Sequence, residues 1–281
     1  MPAIPTVLIS GTSTGIGLQT AVAAAAAGWR VIATMRDLGR AAHLRAAADS
    51  AGVAELIDLR RMDVVDPESV STCIAGAVAD HGGIDALINN AGSGHVATLE
   101  QETIEEIRKV FEVNFFGTLN VTKAALPHLR ASGGRVITVT SVGGVVGQPF
   151  NEAYCAAKFA VEGFMESLNP VAATLGVAVT VVEPGAVSTE FVANAGVDAE
   201  ELAAASGPYA PALSAYLRRT AGAFAAAQSP IEVAAVIVKA LTDEHPPFRI
   251  QTSDGARAFV GNKLADLDGA RVIGLTSQWV S

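Results

Sequence analysis

The sequence predicts one α/β domain built as a doubly wound parallel sheet with helices on both faces. Three observations predict it. Short apolar, β-branched runs alternate with helical stretches along the whole chain, as a parallel sheet with crossover helices requires. The first run enters a helix through a glycine-rich turn, the connection that opens such sheets. No internal repeat and no long linker divides residues 1–281, so a single domain is expected over the full length.

Composition narrows the class further. Half of the 281 residues are hydrophobic and 17% are charged, enough for a sizeable core, yet no apolar run approaches the ~20 residues of a membrane span. The net charge of −9 argues against non-specific binding to nucleic acid or anionic membrane. An anionic ligand therefore needs a locally positive site. Cys73 and Cys155 are the two cysteines, and the five histidines are scattered, so neither a disulfide framework nor a metal site is expected. The start, Met1-Pro-Ala-Ile-Pro, lacks the charged and apolar regions of a secretory signal, which makes the cytoplasm the expected location.

Residues 6–10 (TVLIS) form a short apolar run, read as a buried parallel strand. Gly11, Ser13, Thr14, Gly15, Ile16 and Gly17 follow as a GxxxGxG turn, opening a helix to about Ala27. Such a turn brings backbone N–H groups and a helix dipole to a pyrophosphate. The second strand is Trp29–Thr34. Near its end, sites for NAD usually place a carboxylate for the ribose 2′-hydroxyl, but Met35 and Arg36 stand here. Arg36 either grips the 2′-phosphate of NADP or is a surface charge paired with Asp37. The expectation is NADP(H) in preference to NAD(H).

Leu56–Arg61 reads as a third strand, with Asp63 and Val64 at its end where a side chain could meet the adenine. Residues 67–82 form an amphipathic helix opened by Asp66-Pro67. A fourth strand, Ile84–Asn89, ends in Asn90, Ala91 and Gly92, at the carboxyl edge where open α/β sheets bind ligands. The next helix is expected over Ile104–Leu129 with Asn114 in its middle. That amide either holds a water in a proton path to Lys158 or satisfies its own helix.

Arg135–Thr140 is a fifth strand ending at Ser141, and residues 141–158 carry the chemistry. Tyr154 and Lys158 stand at i,i+4, one turn apart on one helix face. A phenol titrates near ~10, and an ammonium beside it lowers that value, which lets Tyr154 exchange a proton with a carbonyl or alcohol oxygen. Ser141 donates to the same oxygen. By itself such a pair is commonly a solvated helix face, and the rest of the chain decides. A sixth strand, Val177–Val182, leads into Pro184, Gly185, Val187 and Thr189, able to reach a carboxamide or phosphate. Residues 191–230 shift to Ala, Gly, Ser and Pro and read as a small helical flap over a substrate. Pro230–Leu241 is a helix, Phe248–Thr252 a last strand, and the tail to Ser281 helical or irregular.

Taken together the ordered motifs resemble the short-chain dehydrogenase/reductase family over essentially the full length: SGTSTGIG at 10–17, Asp63, NNAG at 89–92, Asn114, Ser141, YCAAK at 154–158 and PGAVST at 184–189. The resemblance implies a Rossmann-type fold and a catalytic tetrad of Asn114, Ser141, Tyr154 and Lys158. ATMRD at 33–37, residues 141–168 and AAAQSPIEVA at 225–234 resemble the hydroxysteroid and retinol dehydrogenase subgroup, whose members with this ATxRD segment commonly use NADP(H). Arg218 falls where the estradiol-type enzymes have a histidine at the far end of the steroid, so the catalytic end matches and the specificity end departs.

The expected activity is NADP(H)-dependent interconversion of a secondary alcohol and a ketone on a small hydrophobic substrate. Val145, Val146, Pro149 and Phe150 would form one pocket wall and the 191–230 flap the other. An acyl or polyketide ketoreductase with the same four residues is the alternative within enzymes, and a non-catalytic NADP sensor the alternative outside them. The alanine-rich helices and the subgroup resemblance suggest a homodimer or homotetramer.

Overall fold

Val7 and Ile9 alternate with Leu8 along the first strand, and the two-residue period of a strand sends them to opposite faces of the sheet. All three are fully buried, because each face is covered by its own helical layer. The computed structural model describes residues 4–189, 205–225 and 227–265, with Leu202 and Gln278. Seven strands form one parallel sheet: β1 Thr6–Ser10, β2 Arg30–Met35, β3 Ile57–Arg61, β4 Ala86–Asn89, β5 Arg135–Val139, β6 Ala178–Glu183 and β7 Arg249–Gln251. Their order is β3-β2-β1-β4-β5-β6-β7. The order reverses between β1 and β4, which opens a crevice at their carboxyl ends. This is a single Rossmann-type domain.

The helices are α1 Gly15–Ala26, α2 Ala42–Ser50, α3 Pro67–His81, α4 Ile104–Phe111, α5 Gly117–Ser132, α6 Glu152–Ala173, α7 Ala210–Ala225, α8 Pro230–Thr242 and α9 Asp254–Leu264. Val7 and Ile9 pack with Leu18 and Ala21 of α1 and Val233 and Ile237 of α8. Leu8 packs with Ile74 of α3, Val121 and Leu129 of α5 and Val161 and Met165 of α6. Burying each such side chain contributes roughly 1.5–3 kcal/mol.

Local signals explain most boundaries. Asp66 accepts from the Glu68 and Ser69 N–H groups at 2.9 and 3.2 Å, and Gly82 closes α3 in the left-handed region at φ 85°. Ser229 and Glu232 form a capping box at the start of α8. Strand β4 starts later than the apolar run, because Asp85 pins its entry: Oδ2 accepts from the Thr6 N–H at 2.7 Å.

Three elements differ from expectation. Helix α2 was not anticipated; its Leu44 and Ala48 are buried. Expected as one helix, 104–129 is interrupted by a π turn at Glu112–Phe116. There the Asn114 amide donates to the Val110 carbonyl at 3.0 Å, and a side chain entering the helical ladder widens it locally. The tail forms α9, capped by Ser253, which accepts from the Ala256 N–H at 3.1 Å. Much of the expected flap, residues 190–201, 203–204 and 226, lies outside the described residues, as do 266–277 and 279–281. No helix among the described residues is long and apolar enough to cross a membrane.

Candidate active site

The crevice is built first from glycine. Gly11 and Gly15 adopt φ of 72° and 58°, a region that costs other residues steric strain. At Gly17 a Cβ would lie 2.1 Å from the Gly11 carbonyl oxygen and 2.4 Å from Asn90 Nδ2. Only a bare backbone fits there. The Asn90 amide latches the turn to β4, donating to the carbonyls of Ser10 at 3.1 Å and Gly11 at 2.9 Å. Ser10 Oγ accepts from the N–H groups of Asn90 and Ala91 at 2.9 and 3.0 Å. Thr14 stands at the N-cap of α1 without a side-chain cap bond, and the first turn holds no acidic residue. Ser13 and Ile16 flank it. An uncapped helix start with positive dipole, ringed by glycine, suits a phosphate, so the residues present fit a dinucleotide.

The remaining expected cofactor positions surround this turn. Arg36 is exposed at the end of β2 and forms no ion pair among the described residues. Asp37 does not pair with it; Oδ1 accepts instead from the Gly39 N–H at 2.8 Å. Asp63 caps its own turn, accepting from the Val65 N–H at 3.3 Å, while Val64 is buried where a Cβ at Gly117 would strike it at 2.7 Å. Thr189 lies against Gly15, within 3.3 Å of where its Cβ would be. Pro184 accepts from the Val142 N–H at 3.0 Å, which ties the loop after β6 to the loop after β5. Gly185 and Val187 follow, and Gln228 holds them: its backbone pairs with Ala186 and Ser188 at 3.1 and 2.9 Å.

Ser141, Tyr154, Lys158 and Asn114 converge beside the crevice. Ser141 caps a short turn, accepting from the Gly143 N–H at 2.9 Å, and is hydrogen-bonded to the Tyr154 hydroxyl. Lys158 is buried, with Nζ donating to the Val139 carbonyl at 3.2 Å and 5.9 Å from the Tyr154 ring centroid. A Cβ at Gly92 would meet Asn114 Oδ1 at 2.9 Å and Lys158 Nζ at 3.6 Å, so these two groups flank one glycine. The Asn114 amide is fully engaged, donating to Ser93 and Val110 carbonyls at 3.0 Å each and accepting from the Ser93 N–H at 3.2 Å. The side chain thus satisfies its own helix at Val110 and also fixes the loop after β4 through Ser93.

The electrostatics depart from expectation at Tyr154. Burial raises its proton affinity, and the hydrogen bond with Ser141 opposes that rise. The expected lowering by Lys158 is absent: desolvation is the largest cause, and Lys158 is not among the groups that shift it. Lys158 itself is pushed down to about 8 by burial, with Glu162 opposing. Cys155, beside Tyr154, is pushed up to about 11 by burial, which makes its thiol a packing group.

The expected pocket wall is packed more deeply than anticipated. Val145 and Val146 are buried with Val142 against Ala256 and Val260 of α9. Phe150, in the left-handed region at φ 58°, is buried with Leu213 and Tyr216 of α7, its ring centroid 5.6 Å from that of Tyr216. Pro149 remains half-buried. Asn151 donates to the Tyr216 hydroxyl at 2.6 Å, and Tyr209, in the turn that enters α7, donates to Glu100 at 2.8 Å, so α7 and its entry turn are tied to both loops flanking the site. Asn151 and Gln228 stand inside stretches that the sequence singles out as motifs, and Phe259 in a tail that it leaves as helical or irregular; that Asn151 meets Tyr216 and Phe259 packs beside Phe150 follows only from the fold.

The profile of the short chain dehydrogenases matches residues 5–200. The chain belongs to the short-chain dehydrogenase family. Among curated proteins it is similar to bovine (Bos taurus) retinol dehydrogenase 8, 39% identical over 279 residues, covering 94% of this chain and 86% of that protein. It is 34% identical to the 17-beta-hydroxysteroid dehydrogenase type 1 of Mus musculus over 278 residues, covering 97% of this chain and 80% of that protein. A solved structure of a variant actinorhodin polyketide ketoreductase with NADPH superposes with a TM-score of 0.76 at 27% identity, covering 90% of this chain and 97% of that one. The short-chain dehydrogenase fold thus places its hydroxysteroid- and retinol-like sequence on the crevice just described.

Proposed function

We propose that the protein is an NADP(H)-dependent oxidoreductase that interconverts a secondary alcohol and a ketone on a hydrophobic substrate. The observation that carries this reading is the hydrogen bond between Ser141 and the Tyr154 hydroxyl, with the Lys158 ammonium 5.9 Å from the tyrosine ring. When bound, the dinucleotide supplies or accepts the hydride at the substrate carbon. Tyr154 gives its proton to the ketone oxygen, or takes it from the alcohol. Ser141 donates a hydrogen bond to that oxygen and to the phenolate left behind. Lys158 offsets the phenolate charge, and Asn114 holds the loop carrying Gly92 in place.

The cradle around Gly17 would hold the pyrophosphate, and Arg36 the 2′-phosphate. Its freedom from Asp37 supports the NADP(H) preference. Apolar packing by Phe150, Tyr216 and Phe259 supports a hydrophobic substrate, consistent with relatives named for retinol and a hydroxysteroid. Arg218 is exposed on α7, two residues beyond buried Tyr216, so the polar end of the substrate differs from that of the estradiol-type enzymes. Likeness to the polyketide ketoreductase supports a second reading, an acyl or polyketide carbonyl. Oxidation of NADPH and NADH across steroids, retinal, β-keto esters and small aromatic ketones tests both. Turnover with NADPH on steroids or retinal supports the first, on β-keto esters the second, and NADPH binding without turnover on any ketone contradicts both.

We also infer self-association. The π turn, α5 and α6 present Phe116, Leu119, Leu126, Phe164 and Leu168 around one groove, with Phe116 and Phe164 exposed. Paired apolar faces of this kind suit a second copy of the chain.

A further inference from the structure

We propose that Gln228 is a positioning residue for the dinucleotide: locked to Thr252 by its side-chain amide, it holds residues 184–189, the loop after β6, against the glycine turn. The inference rests on the reading of that turn as the dinucleotide site and adds to it a residue that stands between α7 and α8.

Gln228 is bonded through both its backbone and its side chain. Its N–H donates to the Ala186 carbonyl at 3.1 Å, and its carbonyl accepts from the Ser188 N–H at 2.9 Å. Val187 and Gln228 thus face each other as an isolated parallel bridge. The amide then closes a ring with a single residue. Nε2 donates to the Thr252 carbonyl at 2.8 Å, and Oε1 accepts from the Thr252 hydroxyl at 2.6 Å. That pairing needs a donor and an acceptor on one terminal group, which a primary amide supplies and a carboxylate does not. Thr252 is itself well placed as an anchor. It is 8% exposed and directly follows β7, whose Gln251 stands in register with Glu183 of β6. Gln228 therefore fastens the loop after β6 to the edge of the sheet.

The loop so held is the one that meets the glycine turn. Its start is tied elsewhere, since Pro184 accepts from the Val142 N–H at 3.0 Å. Further on, Ala186 and Ser188 take their backbone bonds from Gln228, and Val187 between them is buried in the same core as Leu18 and Ala21 of α1. One residue past Ser188, Thr189 puts Cγ2 and Cβ 3.2 and 3.3 Å from where a Cβ at Gly15 would lie. Gly15 opens α1. Freeing the Gln228 side chain thus loosens Ala186 and Ser188 together, and with them the seat of Thr189 on the turn. A binding loop draws its precision from such supporting bonds, because small misplacements of a contacting group are costly.

The test is a fluorescence titration of the full chain with NADPH, alongside urea denaturation of the same proteins. Gln228→Ala is expected to weaken NADPH about tenfold, the scale of losing two side-chain hydrogen bonds. Thr252→Val, which removes the hydroxyl and keeps the carbonyl, weakens it about threefold, and the double variant is no weaker than Gln228→Ala. The control is Ser229→Ala, which removes the neighbouring cap of α8: it lowers the urea midpoint and leaves NADPH affinity within about twofold. Where a ketone turns over, the Gln228→Ala loss appears in KM for NADPH with kcat within about twofold, a split that lost stability does not produce. Wild-type affinity in folded Gln228→Ala, or an equal loss in Ser229→Ala, overturns the proposal. If Gln228→Ala does not fold, Thr252→Val decides, and unchanged affinity there overturns it. A wild type that binds neither NADPH nor NADH overturns the dinucleotide reading and this inference with it. A wild type that binds, beside a Gln228→Ala variant that binds equally well, overturns the inference alone.

Discussion

Lys158 Nζ lies 5.9 Å from the Tyr154 ring centroid while donating to the Val139 carbonyl at 3.2 Å. The ammonium is thus anchored to the end of β5 and faces the ring from a fixed distance. Because burial opposes ionisation of Tyr154, a phenolate formed in the proposed turnover would depend on this charge and on Ser141. Lys158→Met is therefore expected to lower kcat by roughly 10²-fold or more. Steady-state kinetics with NADPH and the best ketone check this; a change confined to KM contradicts it.

Gly17 is the tightest point of the glycine turn, where a Cβ would lie 2.1 Å from the Gly11 carbonyl oxygen. Since that contact is with backbone, Gly17→Ala must displace the turn or the Asn90 latch. Dinucleotide affinity is expected to fall more than about tenfold, as read by NADPH fluorescence titration. Wild-type affinity in a folded variant would show that this turn does not hold the dinucleotide.

Arg36 is exposed and unpaired by Asp37, whose Oδ1 is 2.8 Å from the Gly39 N–H. Replacing it by Asp puts a carboxylate where the 2′-phosphate is expected. NADPH binding should weaken by about 10–100-fold while NADH binding changes little. Equal losses for both would show that Arg36 does not touch the 2′-phosphate.

Glu162 makes stability depend on pH in a defined direction. Its folded-state pKa of about 7 lies above the ordinary 4.5, so the folded chain holds this proton after the unfolded chain has released it. The contribution to stability is fully present below about 4.5 and is lost as pH rises through 7. Relative to Glu162→Gln, the wild type should lose roughly 1–3 kcal/mol between pH 5 and 7.5. Urea denaturation of both proteins at the two pH values measures this; parallel behaviour would contradict it.

Phe164 is exposed on the α5–α6 face, its ring 6.2 Å from that of Phe115. Phe164→Glu should convert a homo-oligomer into a monomer, as read by light scattering after size exclusion. A wild type that is already monomeric would remove this part of the reading.

Most of the sheet was legible because its strands are buried on both faces and read as continuous apolar runs, as in Val7-Leu8-Ile9 and Val136-Ile137. The candidate site residues stood out in the sequence because glycines, Tyr154 and Lys158 stand at spacings that a turn or a helix face dictates. Other features depend on contacts between distant segments. The π turn at Asn114 exists because its amide meets Ser93 and Val110. Tyr216 matters because α7 folds back onto Phe150 and Asn151. Glu162 looked like one more polar residue on a helix until β6 and β7 brought Glu183 and Arg249 to it. The reversed proton affinity of Tyr154 had the same cause, since burial is not visible in an i,i+4 spacing.

Tyr154 as the proton donor is the central claim, and the Tyr154→Phe variant tests it most directly. With NADPH and the best ketone of the panel, kcat should fall by about 10²–10⁴-fold, while NADPH affinity stays within about threefold, since only the hydroxyl is removed. Turnover at the wild-type rate in a folded, NADPH-binding Tyr154→Phe protein would contradict the account.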